Sequence, residues 1–139
     1  MKTIIVDDEI MAIKLVRNYL ERDKRVEIVG ECLDAGEALQ CVRERAVEAA
    51  FLDICIHGCM DGVELGKKLK ELNPQIVLIY TTGNAQYVDN AIDVEADFYL
   101  MKPLNAAELT FVVKKANELA LQRNKRIFAR TFGHFDLYI

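Results

Sequence analysis

Ile4-Ile5-Val6-Asp7-Asp8-Glu9 runs an apolar stretch straight into three consecutive acids. Neighbouring carboxylates repel one another and raise each other's pKa, so the position of this cluster in a fold has to explain it. The apolar half reads as a short buried strand, and the same signature recurs along the chain. Thr3 to Val6, Val26 to Cys32, Ala49 to Asp53, Gln75 to Thr82 and Asp97 to Met101 are all short and rich in Ile, Val, Leu or aromatic residues. Between them apolar residues return at helical spacing: Met11, Leu15, Val16, Tyr19 and Leu20; then Ala38, Leu39 and Val42; then Val63, Leu65, Leu69 and Leu72. A weaker fourth helix is expected over Tyr87 to Val94. A long fifth is expected from about Asn105 to Gln122, with Asn105 placed to cap it and Glu108 at its third position. Strand and helix alternating in this way predict an α/β domain, a doubly wound five-stranded parallel sheet of order 2-1-3-4-5 with helices on both faces.

In such a sheet, ligands bind in the crevice beyond the C-terminal ends of the strands. Strands one, three, four and five therefore bring their ends together: Asp7-Asp8-Glu9, Asp53, Thr82-Gly83 and Lys102-Pro103. Carboxylates converging on one spot are stabilised by a divalent cation, and hard oxygen donors suit Mg2+. A carboxylate beside such a metal can attack a phosphoryl group, while a hydroxyl and an ammonium hold the phosphoryl oxygens. Asp53 fits the nucleophile, Thr82 the hydroxyl and Lys102 the ammonium. A backbone carbonyl just past Asp53, that of Cys55, would complete the metal's protein ligands. Each residue also has an ordinary reading: Asp7 and Asp8 as caps of the first helix, Asp53 as a strand-end acid, Thr82 as a turn former and Lys102 as a surface lysine. Their joint occurrence at four strand ends favours the site. Proline after Lys102 makes that peptide a candidate for the cis form.

Composition narrows the class. The chain has 139 residues, 52% hydrophobic, which suffices for one compact domain with a buried core. The first acid arrives at Asp7 and charges interrupt every later apolar run, so neither a secretory signal nor a membrane span is expected, and a cytoplasmic location is. A net charge of −4 disfavours nucleic acid as a direct partner of the domain body. The locally basic stretch from Lys114 to Arg130 reads as a solvated helix end. Four cysteines, Cys32, Cys41, Cys55 and Cys59, are irregularly spaced and read as reduced thiols. A metal reading of Cys55-Ile56-His57-Gly58-Cys59 lacks a second ligand pair.

At these residues the chain closely resembles the receiver domain of bacterial two-component response regulators. The resemblance covers about Met1 to Gln122 and rests on an ordered set: I-V-D-D-E, F-L-D-I, M-D-G-V-E-L, T-T-G and F-Y-L-M-K-P-L. It implies a flavodoxin-like fold and a Mg2+-dependent phosphoacceptor that takes its phosphoryl group from a sensor histidine kinase. Carried over by position, Asp53 is the acceptor, Asp7 and Asp8 the acidic metal pair, Thr82 the switch hydroxyl and Lys102 the family's lysine. Tyr99 matches the aromatic that members swing inward on activation. Thr81 competes with Thr82, but the family pattern puts a small residue after the switch hydroxyl, and Gly83 follows Thr82. The loop from Ile54 to Gly62 departs from the pattern: His57 stands where proline is usual, and the loop is one residue longer than the commonest form.

Arg126 to Ile139 resembles the linker and first strand of a winged-helix output domain of antibiotic-regulatory-protein-type activators. The expected division is a receiver over 1–122 and a linker with the start of an output domain over 123–139. DNA would then be contacted only through a missing C-terminal part, and phosphorylation would favour a homodimer. The chain is expected to be a signalling phosphoacceptor and not an enzyme with a separate substrate. The alternative is a receiver that works without phosphate, as a protein-interaction and dimerisation module. A phosphatase with an aspartyl-phosphate intermediate would want D-x-D after its first strand. A flavin or nucleotide module would want Gly, Ser and Thr amides there.

Overall fold

The structure is a computed structural model that describes residues 1–56, 61–83 and 96–132, with side chains as far as residue 124. Its elements are β1 (Lys2–Val6), α1 (Ile10–Leu20), β2 (Glu27–Cys32), α2 (Ala35–Glu44), β3 (Ala49–Asp53), α3 (Gly62–Leu72), β4 (Val77–Thr82), β5 (Phe98–Met101) and α4 (Ala106–Phe132). The five strands form one sheet in the order β2-β1-β3-β4-β5, every pair parallel. This is the flavodoxin-like doubly wound arrangement that the alternating pattern predicts. The helix expected over Tyr87 to Val94 lies outside the described residues.

β3 and β4 are buried along their whole length, which is why both read as near-continuous apolar runs with no polar face. Alternate residues of the strands feed two separate cores. Ile4, Val6, Ala50, Leu52, Leu78 and Tyr80 pack beneath α2 and α3, while Ile5, Phe51, Val77 and Ile79 pack beneath α1 and α4. Truncating a fully buried side chain in either layer, Leu69 in the first or Leu20 in the second for example, costs about 2–5 kcal/mol.

Strand starts shift slightly from expectation, each for a local reason. β2 begins after Val26 because the Val26 amide turns back to the Asp23 carbonyl. β4 begins only at Val77 because the Asn73 side chain takes the Gln75 amide and the Asn73 carbonyl takes the Ile76 amide. At the start of β5 the Asp97 carboxylate accepts the Leu78 amide, at 2.9 Å. The larger correction concerns the C-terminal segment. Instead of ending near Gln122, α4 remains helical through Phe132, so 126–132 is helix where a linker and strand were expected. From Arg123 to Phe132 neither proline nor glycine occurs, and the first breaker is Gly133. Asn105 does cap α4, its side-chain oxygen accepting the Ala107 and Glu108 amides at 2.8 and 3.2 Å.

Cys32 is buried and Cys41 and Cys55 are half-buried, all free thiols. Cys59 and His57 lie outside the described residues. Among the described residues no helix is long and apolar enough to cross a membrane.

Candidate functional site

Because all strands run the same way, β1, β3, β4 and β5 finish on one edge. The β1–β3 register pairs Val6 with Leu52, which brings Asp7 level with Asp53. Across β4 the pairs are Asp53 with Thr81 and, towards β5, Thr82 with Met101. Asp7, Asp8 and Asp53 each present a carboxylate oxygen, and these lie within 4.8 Å of one another. Lys102 reaches in from just past β5, its Nζ 3.1 Å from Asp7 Oδ2 and 3.6 Å from Asp53 Oδ2.

Asp7 and Asp53 are almost completely buried, at 4% and 7% exposure, so their charges sit in a poorly hydrated place. Burial raises the Asp53 pKa above that of an ordinary carboxylate. The Cys55 amide, which donates to Oδ1 at 3.1 Å, and the nearby Lys102 oppose the rise, and Asp7 and Asp8 add to it. For Lys102, burial works to lower the pKa, but the hydrogen bond to Asp7 and the charges of Asp53 and Asp7 outweigh it. The ammonium form is held more firmly than usual.

The simple capping explanation of the opening acids does not describe this geometry. Glu9 is the N-cap residue of α1 and its side chain makes no capping bond. Asp7 Oδ1 accepts the Glu9 amide at 2.9 Å while its other oxygen holds Lys102. Asp61 and Asp34, by contrast, do cap α3 and α2, accepting the amides of Glu64 and Glu37.

Thr82 closes β4 at the same edge, 1% exposed, and its carbonyl accepts the Lys102 amide at 2.8 Å. Strand alternation puts its side chain on the face of Tyr80, where Tyr99 also packs. Tyr99 does not join the carboxylates. Its ring stacks on that of Tyr80, centroids 6.4 Å apart and planes at 19°. The Lys102–Pro103 peptide is cis. Two contributors were not singled out from the sequence: the Cys55 amide, which no side-chain pattern reveals, and Tyr80, which reads there only as an apolar strand position.

The donor set consists of hard carboxylate oxygens gathered in one place, and it fits a small divalent cation such as Mg2+. A nucleophilic carboxylate beside a fixed ammonium fits acceptance of a phosphoryl group.

The chain matches the response regulator receiver domain over residues 3–114. It is 31% identical over 115 residues to the sensory transduction protein LytT of Bacillus cereus, covering 83% of this chain and 46% of that one. Against the transcriptional regulatory protein YpdB of Escherichia coli the identity is 30%, over 83% and 47% of the two chains. The REC domain of AraT, a response regulator from Geobacillus stearothermophilus, superposes with a TM-score of 0.80 at 33% identity, covering 88% of this chain and 97% of that one. The response regulatory domain of mrkE from Klebsiella pneumoniae also gives 0.80, at 28% identity and with 88% and 99% covered. The chain belongs to the response regulator receiver domain family of two-component systems. It spans a little under half the length of LytT and YpdB.

Proposed function

We propose that Asp53 accepts a phosphoryl group from the phosphohistidine of a sensor kinase, in a Mg2+-dependent reaction, and that the added charge switches the domain's conformation. The observation that carries this reading is the gathering of three carboxylate oxygens within 4.8 Å, with the Lys102 ammonium 3.6 Å from Asp53. An Asp53 oxygen attacks phosphorus; the new O–P bond forms as the N–P bond to the kinase histidine breaks, and the electron pair returns to the imidazole. Lys102 pairs with a phosphoryl oxygen, and Thr82 donates its hydroxyl to another. Mg2+ held by Asp7, Asp8, Asp53 and the Cys55 carbonyl would offset charge on the transferring oxygens. No separate substrate is turned over; the domain is a phosphoacceptor.

Phosphorylation adds roughly two negative charges at Asp53. Thr82 is drawn towards them, and Tyr99 moves into the space behind it. A local charge thus becomes a change in the surface around β5, a two-state shift that favours a homodimer. The name of the transcriptional regulatory protein YpdB, and the fraction of its length that this chain spans, support a transcriptional role exerted through a further C-terminal domain. On this reading 1–122 is the receiver, 123–139 leads onward, DNA is contacted only by the output part, and the protein works in the cytoplasm.

The test is intact mass after incubation with Mg2+ and acetyl phosphate. One phosphoryl adduct on the parent protein, absent in Asp53→Asn and without metal, is the expected result. A folded protein that takes no adduct would instead favour the phosphate-independent interaction module.

A further inference from the structure

Tyr80 is fully buried in the middle of β4, and the direction of its hydroxyl sets it apart from an ordinary core tyrosine. Its Oη donates to the Gly62 carbonyl at 2.9 Å, in the first turn of α3. Both glycines of that helix make this approach possible. A Cβ on Gly66 would lie 1.9 Å from the Tyr80 hydroxyl, and a Cβ on Gly62 would lie 2.2 Å from the carbonyl oxygen of Asp53 itself. The Gly62 amide also donates to the Ile54 carbonyl at 2.9 Å. Gly62 is thus pressed against the backbone of Asp53 and Ile54 on one side and held by Tyr80 on the other. Directly beyond Ile54, the Cys55 amide orients the Asp53 carboxylate. At its other end, the Tyr80 ring is the platform on which Tyr99 stacks.

We propose that Tyr80 is a positioning residue: through Gly62 it fixes the backbone that aims the Asp53 carboxylate, and through its ring it links that backbone to Tyr99. This rests on the reading of Asp53 as the phosphoacceptor. A tyrosine that merely fills the core would contribute stability but would not govern the order of the segment following Asp53.

The experiment compares the full chain with Tyr80→Phe, which keeps the ring and removes only the hydroxyl, and with Leu78→Ala, which empties the same core layer two residues away. Amide hydrogen exchange at Gly62 and Cys55 should quicken about tenfold in Tyr80→Phe, the equivalent of one lost buried hydrogen bond. Labelling by acetyl phosphate should slow by a similar factor. Leu78→Ala should lower the melting temperature further than Tyr80→Phe does, yet leave the labelling rate within about twofold of the parent. Tyr99→Ala combined with Tyr80→Phe should be non-additive at the Gly62 amide. The proposal is overturned if exchange and labelling in Tyr80→Phe merely follow the loss of stability, as in Leu78→Ala, and additivity would break the link to Tyr99. A parent protein that takes no phosphoryl group would sink the acceptor reading alone, because the exchange comparison still decides the positioning role.

Discussion

The two ends of the sheet gather charge in opposite proportions. Among the described residues, three carboxylates at the C-terminal edge, Asp7, Asp8 and Asp53, stand beside one ammonium, 3.1–3.6 Å from two of them. At the opposite edge two cations serve one carboxylate. Arg123 Nη2 and Nη1 reach the Asp97 oxygens at 2.6 and 3.2 Å, Lys70 Nζ stands 3.6 Å away, and the Leu78 amide adds a fourth contact. Arg123 also donates to the Ile76 carbonyl at 2.9 Å. The Asp97 cluster is satisfied from within the chain and pins α4 to the starts of β4 and β5. Among the described residues the Asp53 cluster has more carboxylates than cations, which suits an incoming cation. Similar residue types make a structural joint at one edge and the proposed phosphoacceptor site at the other, and the ratio of signs is what separates them.

The sharpest break between the two edges comes from Asp53→Asn, which should abolish the phosphoryl adduct in intact-mass spectra while the protein stays folded. Arg123→Ala should do the reverse. The loss of Arg123 leaves Asp97 with Lys70 and the Leu78 amide, so about 1.5–3 kcal/mol of unfolding free energy, the worth of a hydrogen bond to a charged group, should be lost in denaturant melts, with adduct yield unchanged under native conditions. Loss of labelling in folded Arg123→Ala would show that the edges are not separable.

Metal should discriminate next. At a free Mg2+ concentration a hundredfold above its dissociation constant, the parent should gain about 2.7 kcal/mol of stability. Chelator should reverse the gain. Asp7→Asn and Asp8→Asn should each lose most of it, and Asp97→Asn should keep it; equal responses in all three would refute the assignment of the cation to the C-terminal edge.

The smallest effect concerns pH. The folded-state pKa of Asp53 is raised above its ordinary 3.8, so the folded protein binds this proton more tightly than the unfolded chain does. The stabilisation this provides is present at low pH and is lost as pH rises through the window between 3.8 and the raised value. In chelator at neutral pH, Asp53→Asn should therefore melt above the parent, with the gap closing as pH falls through that window. A gap that widened on acidification would mean that the carboxylate is stabilised in its charged form.

Much of the fold was legible because the strands are buried on both faces and so interrupt the helical periodicity cleanly. Asp7, Asp8, Asp53, Thr82 and Lys102 were legible because a parallel sheet turns the list of strand ends into a list of neighbours. What escaped depends on contacts far apart in sequence. Nothing local tells Arg123 that it will meet Asp97, nor Tyr80 that its hydroxyl will end on Gly62. The continuation of α4 to Phe132 was missed for a different reason: Arg126 to Phe132 runs into Thr131-Phe132-Gly133-His134-Phe135-Asp136-Leu137, whose alternation suits a strand, while the absence of a breaker before Gly133 suits a helix. Pattern alone does not decide between them, and the structure takes the helix.

The place of β1 inside the sheet, between β2 and β3, has a consequence during synthesis. Both of its partners, β2 and β3, follow it in the chain, so Ile4-Ile5-Val6 leaves the ribosome before either of these strands can cover it. A short, uncharged, β-prone run is the kind of segment that pairs with other chains when left open. Here Lys2 flanks it on one side and Asp7, Asp8 and Glu9 on the other, charges of the sort that keep such runs apart. The carboxylates gathered at the C-terminal edge of the finished sheet thus also guard β1 until β2 and β3 arrive.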